Sequence, residues 1–376
     1  MNDSPTPLKS ILDKLSEEEE QEKIAKDVSS SYSGLQYPEI LREREREYRD
    51  VEKHWVRRCW LDVAKGIKQA NNRPVTYLTL PALYRLDVSL LYNAGLLSVT
   101  APADEEPIVE VAGFEIDPTR HGRMSSVSPR LRLFGFTTIE KAILDPKNPY
   151  HSDLFKMFPF DVVNLDLTTS LTPKHEGPYS EVMQAINEVI KRQSQHPGRW
   201  ALFLTFRNMK AEWEMNALKE FLSNLQSNLD VFAKVREAFN QKYHYPSVEQ
   251  FFSEHPSKTI SQAVVKWLVD RAHANEAQLM SLQSYFYTRY EAKPPYIISK
   301  LIMTFAKGNV SRLAIPMKST PRQGWMDDDL ITCVSKHTYT DVEEILLKSS
   351  TDRFLELENE VAKLCALIDE QSGIQS

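Results

Sequence analysis

The run Pro159-Phe160-Asp161-Val162-Val163-Asn164-Leu165-Asp166-Leu167-Thr168-Thr169-Ser170 carries an acid to the end of a continuous apolar stretch and then breaks into small hydroxylated residues. Such a run reads as a buried parallel strand whose carboxyl tip opens into a crevice, where open α/β sheets bind ligands. Asp166 and Thr168 are therefore the first candidates for catalytic residues, a carboxylate and a hydroxyl that orient a substrate. The same pair fits a plainer role in which the acid caps its own loop. A basic group, Arg120, His121, Arg123, Arg130 and Arg132, follows the apolar run Val109 to Ile116 and its terminal Asp117. It suits phosphates of a nucleic acid or an acidic partner surface, and it equally suits a solvated loop.

Other chemistries find no foothold in the sequence. His151, His175 and His196 have no ligand-like spacing to a cysteine or carboxylate, so no metal is expected. Gly-x-Ser-x-Gly, the phosphate loop, His-Glu-x-x-His and the kinase signatures do not occur, and eleven glycines leave little for cradling phosphates. The aromatic set Tyr285, Phe286, Tyr287 and Tyr290 reads as cross-strand packing before it reads as a base-stacking platform. Trp55, Arg57, Arg58 and Trp60 suit either a protein interface or internal packing.

The elements that must position these residues alternate. The sequence predicts strands over Val75 to Leu80, Val109 to Ile116, Leu131 to Phe136, Asp161 to Leu165 and Trp200 to Phe206. Helices are expected over Leu83 to Ala94, Thr138 to Leu144 and Tyr179 to Arg192, the rhythm of a doubly wound sheet. Ahead of this core, residues 1–35 read as a flexible acidic tail with one short helix from Leu8 to Leu15. Residues 36–71 read as a long amphipathic helix with Val51, Trp55, Val56, Trp60 and Val63 on its apolar stripe. The Rossmann-like core spans 72–210, a helical insertion 211–275, and a final antiparallel strand pair 276–318 built from Leu282 to Tyr290 and Tyr296 to Phe305. Residues 319–376 form a C-terminal helical extension, helical from Asp341 to Ile368, with a face for a neighbour.

Bulk properties narrow the classes. With 376 residues, 41% hydrophobic, the chain is long enough for a real core. A net charge of −6 gives no global attraction for a polyanion, so any nucleic-acid contact has to be local. Three scattered cysteines, no basic-apolar leader and no stretch of about 18 apolar residues point to a soluble cytoplasmic protein without disulfides.

Five alternating β and α units, a helical interruption and a final strand pair resemble the layout of the class I S-adenosylmethionine-dependent methyltransferases. The similarity is carried by Thr79-Leu80-Pro81 through Gly95, by Gly113-Phe114-Glu115-Ile116-Asp117 and by Asp161 to Thr168, and it covers roughly residues 72–310. It implies an α/β fold with a doubly wound seven-stranded sheet. It also implies a cofactor, S-adenosylmethionine, near Thr79 and Pro81, with Asp117 on the ribose hydroxyls and Asp87 beside the amine. Asp117 fits a helix cap as well, and Asp87 fits a pair with Arg85. The loop after the first strand, Thr79-Leu80-Pro81-Ala82-Leu83-Tyr84-Arg85-Leu86-Asp87, departs from the family in having no glycine. Asp166 is followed by Leu167-Thr168-Thr169, without the proline turn and stacking ring of base-methylating relatives. The expectation is a methyltransferase-like protein with a degenerate cofactor loop, a recognition or scaffold subunit of a multi-protein complex of the antiviral-defence kind. Its N-terminal and C-terminal helices would meet protein partners, with nucleic acid as a further partner. An active methyltransferase on nucleic acid or protein, and a plain nucleic-acid-binding module, are the alternatives.

Overall fold

The structure is a computed structural model; it describes residues 50–82, 84–100, 108–125, 129–167, 169–173, 180–290, 292, 294–307, 330–348 and 351–371. The expected tail of residues 1–35, the helix start over 36–49, Leu83 and Thr168 lie outside the described residues.

The alternating pattern folds into one eight-stranded sheet with strand order β3-β2-β1-β4-β5-β7-β6-β8. The strands are β1 (Tyr77–Thr79), β2 (Ile108–Glu115), β3 (Arg130–Gly135), β4 (Val162–Asp166), β5 (Arg199–Arg207), β6 (Ala277–Arg289), β7 (Tyr296–Lys307) and β8 (Thr340–Asp341). β1 to β5 run parallel, and β7 lies antiparallel between β5 and β6. The eighth strand departs from the expected seven: two residues pair parallel to β6 at Tyr285 and Phe286, too short a segment to leave a periodic signal.

Helices cover both faces. On one lie α1 (Val51–Asn71), α2 (Leu86–Asn93), α3 (Pro118–Ser125), α11 (Val342–Lys348) and α12 (Thr351–Gln371). The other face carries α4 (Ile139–Leu144), α5 (His151–Met157), α6 (Glu181–Gln193), α7 (Met215–Val231), α8 (Ala233–Tyr243), α9 (Val248–Glu254) and α10 (Pro256–Ala274). Strand alternation sorts the side chains: Leu78, Val163, Leu165, Leu202 and Leu204 pack toward α6 and α10, while Tyr77, Val162, Phe203 and Ile302 pack toward α1. The expected C-terminal helices are α11 and α12, which follow β8. α3 begins at Asp-Pro, with proline tolerated at the first helical position.

α1 lies along the sheet because its apolar stripe, Val56, Trp60, Ala64 and Ile67, recurs at helical spacing, and Trp60 stacks on Phe203 of β5 at 5.5 Å. Two acids of the β4 segment hold its ends. Asp166 meets Lys53 in the first turn at 2.9 Å, and Asp161 accepts from Nδ2 of Asn71, the last residue of α1, at 2.8 Å. α12 crosses the outside of α1, where Glu360 accepts from Arg58 at 2.8 Å and meets His54 at 3.1 Å. The N- and C-terminal helices expected to meet other proteins thus direct these faces at each other. Among the described residues no helix is long and apolar enough to cross a membrane.

Candidate functional site at the carboxyl rim

Register locates the expected site residues. Thr79 is level with Gly113 on one side and Asn164 on the other. Asp166 lies two residues beyond that level on β4, and Asp117 lies four beyond it, past the end of β2. Both acids are on the carboxyl rim, flanking β1.

The Asp166 carboxylate is enclosed by cations of its own chain. Lys53 of α1 approaches to 2.9 Å and Lys300 of β7 to 3.5 Å, while Lys300 also donates to Thr205 Oγ1 at 3.1 Å. Lys300 is 1% exposed, and its ammonium lies 5.1 Å from the Trp60 ring centroid and 5.7 Å from that of Tyr287. Burial alone would raise the Asp166 pKa, but Lys300, Lys53 and a Thr205 hydrogen bond outweigh it and hold the carboxyl well below the usual range. Burial lowers Lys300 to about 8 in spite of Asp166. Beside this group Asp50 pairs with Arg289, and burial followed by Asp50 pushes Glu52 up to about 7. Asp166 is thus the centre of an internal charge cluster. Its expected neighbour Thr168 lies outside the described residues.

The cofactor-side candidates are drawn into a second internal network. Asp87 in the first turn of α2 accepts from Tyr77 Oη at 2.7 Å, Thr79 Oγ1 at 2.8 Å and Asn164 Nδ2 at 3.3 Å. The Asp87–Arg85 pair does not form: Arg85 Nη1 donates instead to the Pro129 carbonyl at 3.3 Å. Tyr84 is fully buried and Arg85 is 1% exposed with φ +45°, so two large side chains occupy the turn where a glycine loop would pass. Pro81 packs down on Gly113, its Cγ 3.2 Å from the position a Cβ there would take. Asp117 is exposed at the start of α3; its Oδ1 accepts from the Arg120 N–H at 2.9 Å and its N–H donates to Glu115 Oε1 at 2.8 Å. This is helix-cap geometry, one of its two expected roles.

The basic group does not assemble. Arg120 follows the end of β2 on the carboxyl rim, whereas Arg130 pairs in register with Ile108 at the beginning of β2, on the opposite edge. α3 reverses the chain between them, which neighbouring sequence positions conceal. Arg123 is buried with its guanidinium 5.4 Å from the Tyr84 ring, and His121 packs on Phe136 at 5.4 Å. Among the described residues no His, Cys, Asp or Glu group of three has metal-holding geometry. His196 contacts Asp161 at 3.1 Å, and His175 lies outside the described residues.

Sequence reasoning missed Lys53, Lys300, Tyr77 and Asn164. Lys300 had a signal, a lone charge inside the apolar strand Tyr296 to Phe305, since lysine is almost never fully buried without a partner. Asn164 had the same signal within Val-Val-Asn-Leu. A cavity of about 280 Å³ lies between α6, α7 and α10, lined by Phe221, Trp267 and the Lys266–Asp270 ion pair.

A family model described as PP_RS20740-like matches residues 137–317, just under half of the chain. No curated protein matches the chain.

Proposed function

We propose that this chain is a methyltransferase-like protein without methyl transfer of its own, acting in the cytoplasm as a recognition or scaffold subunit of a multi-protein assembly. The observation that carries the reading is the burial of Tyr84 and Arg85 in the turn after β1, where S-adenosylmethionine needs close backbone approach. The strand order, with an antiparallel β7 between β5 and β6, supports the family layout, while the rim residues do not fit the cofactor. Asp87 Oδ2 accepts from Tyr77 and Thr79, Asp117 caps α3, and Asp166 pairs with Lys53 and Lys300. What the residues do instead is hold α1 across the sheet.

One observation favours a second reading, an active methyltransferase: Asp117 and Asp166 share the carboxyl rim on either side of β1. Transfer of label from tritiated S-adenosylmethionine to bulk RNA, DNA and protein separates the two. The scaffold reading expects no incorporation above a protein-free blank. Incorporation that disappears in a folded Asp166→Asn variant would establish the enzyme.

A further inference from the structure

Tyr243, the last residue of α8, forms the floor of a positively charged corner. Its hydroxyl donates to Gln262 Oε1 at 3.0 Å and lies 3.2 Å from His337 Nδ1, while His337 Nε2 is 2.9 Å from Ser261 Oγ. This buried network fixes the ring, and two ammonium groups lie over it, Lys242 at 5.7 Å and Lys258 at 5.2 Å from the centroid. Lys242 also donates to the Ser335 carbonyl at 2.8 Å, next to the exposed Lys336. Among the described residues neither Lys258 nor Lys336 has an acidic partner. Glu254, close in sequence, accepts from Tyr245 Oη at 2.8 Å.

Helix electrostatics suit Lys242, in the last turn of α8, but not Lys258. Lys258 stands in the first turn of the 19-residue α10, a turn that holds no acid and whose N-cap, His255, makes no side-chain cap hydrogen bond. A helix start carries positive partial charge, so a lysine there has the wrong sign for the helix and the right sign for a bound anion. Lys242 is lowered to about 8 by burial and then by Lys258 and Lys336, and His337 is held well below its ordinary value by burial and then by Lys242 and Lys258. The corner adjoins the rim: Asn208, just past β5, donates to the Ser257 carbonyl at 2.7 Å and accepts from Ser257 Oγ at 2.9 Å.

We propose that Lys242, Lys258 and Lys336 bind the phosphodiester backbone of a nucleic acid passing the carboxyl rim beside β5. The three groups come from three separate elements and run from half-buried to exposed, a spread suited to successive phosphates of a chain. A local corner of this kind also reconciles nucleic-acid contact with a net charge of −6. The inference goes beyond the scaffold reading and holds whether or not the cofactor binds.

The test is fluorescence anisotropy of the full chain with a labelled single-stranded oligonucleotide, in RNA and DNA forms, across a salt series. Three phosphate contacts predict a slope of log K against log salt of about −2, and the Lys258→Gln/Lys336→Gln variant should bind at least about tenfold more weakly with a slope reduced by about 1.4. That variant leaves the Lys242 bond to Ser335 in place, and its melting curve reports folding. The charge reversal Lys336→Glu at an exposed position should weaken binding as well, while Arg130→Gln should leave it unchanged. Unaltered affinity and slope in both lysine variants, or no binding by the wild-type chain at low salt, would overturn the proposal. So would tighter binding of inorganic pyrophosphate or poly-glutamate than of the oligonucleotide.

Discussion

Replacing Asp166 with alanine is expected to destabilise the protein by about 3–5 kcal/mol, because it leaves two lysine charges against the sheet without their shared counter-ion. Lys300 is the costly one: it is 1% exposed between Trp60 and Tyr287, and its remaining polar partner is the Thr205 hydroxyl. The deficit should depend on pH. Burial lowers Lys300 to about 8 even beside Asp166, and loss of that carboxylate lowers it further, so at high pH the lysine is neutral and the unpaired charge disappears. Denaturant unfolding at pH 7 and pH 9.5 should show the gap between wild type and variant narrowing at the higher pH. An Asp166→Ala/Lys300→Met double variant should recover more than half of the loss at pH 7, since an apolar side chain suits that site. A carboxylate standing in an open crevice for catalysis would behave differently, and its removal would leave the midpoint unchanged.

The second large effect is expected at the other end of β4. Asp161 accepts from Arg73 at 2.7 Å, Thr76 N–H at 2.9 Å, Thr76 Oγ1 at 3.0 Å, Asn71 at 2.8 Å and His196 at 3.1 Å. Gly198 N–H donates to His196 Nδ1 at 3.0 Å, which leaves Nε2 to donate to the carboxylate. Asp161→Ala orphans several of these donors in a buried place and should cost about 3–5 kcal/mol. Burial raises the Asp161 pKa, but the His196 and Thr76 hydrogen bonds and Arg73 prevail and hold it below its ordinary 3.8. A carboxylate with a depressed folded-state value contributes fully above 3.8 and loses that contribution as pH falls through the folded value. The wild-type advantage over Asp161→Asn should therefore be constant from pH 5 to 7 and shrink below about pH 3.8. An advantage that persists undiminished in acid would mean that the side chain acts by packing and not by charge.

Together the two acids explain how much of the molecule could be read in advance. The alternation of apolar runs with helical periods marked out β1 to β5 and the β6–β7 hairpin, because those signals are local. The glycine-free turn was equally legible, since Tyr84 and Arg85 have a size that no context removes. What could not be read were pairings across long separations. Lys53, Asp166 and Lys300 meet only because α1 lies over β4 and β7 flanks β5. The arginines misled for the converse reason: adjacent in sequence, they are sent to opposite edges when α3 turns the chain back. β8 escaped notice because two residues carry no period.

A carboxyl rim filled by the chain's own side chains leaves no room for the cofactor. Calorimetric titration of the full chain with S-adenosylmethionine tests it most directly. No saturable heat at millimolar cofactor is the predicted result, in wild type and in Asp117→Ala alike. Micromolar binding by the wild type that is lost in Asp117→Ala would contradict it.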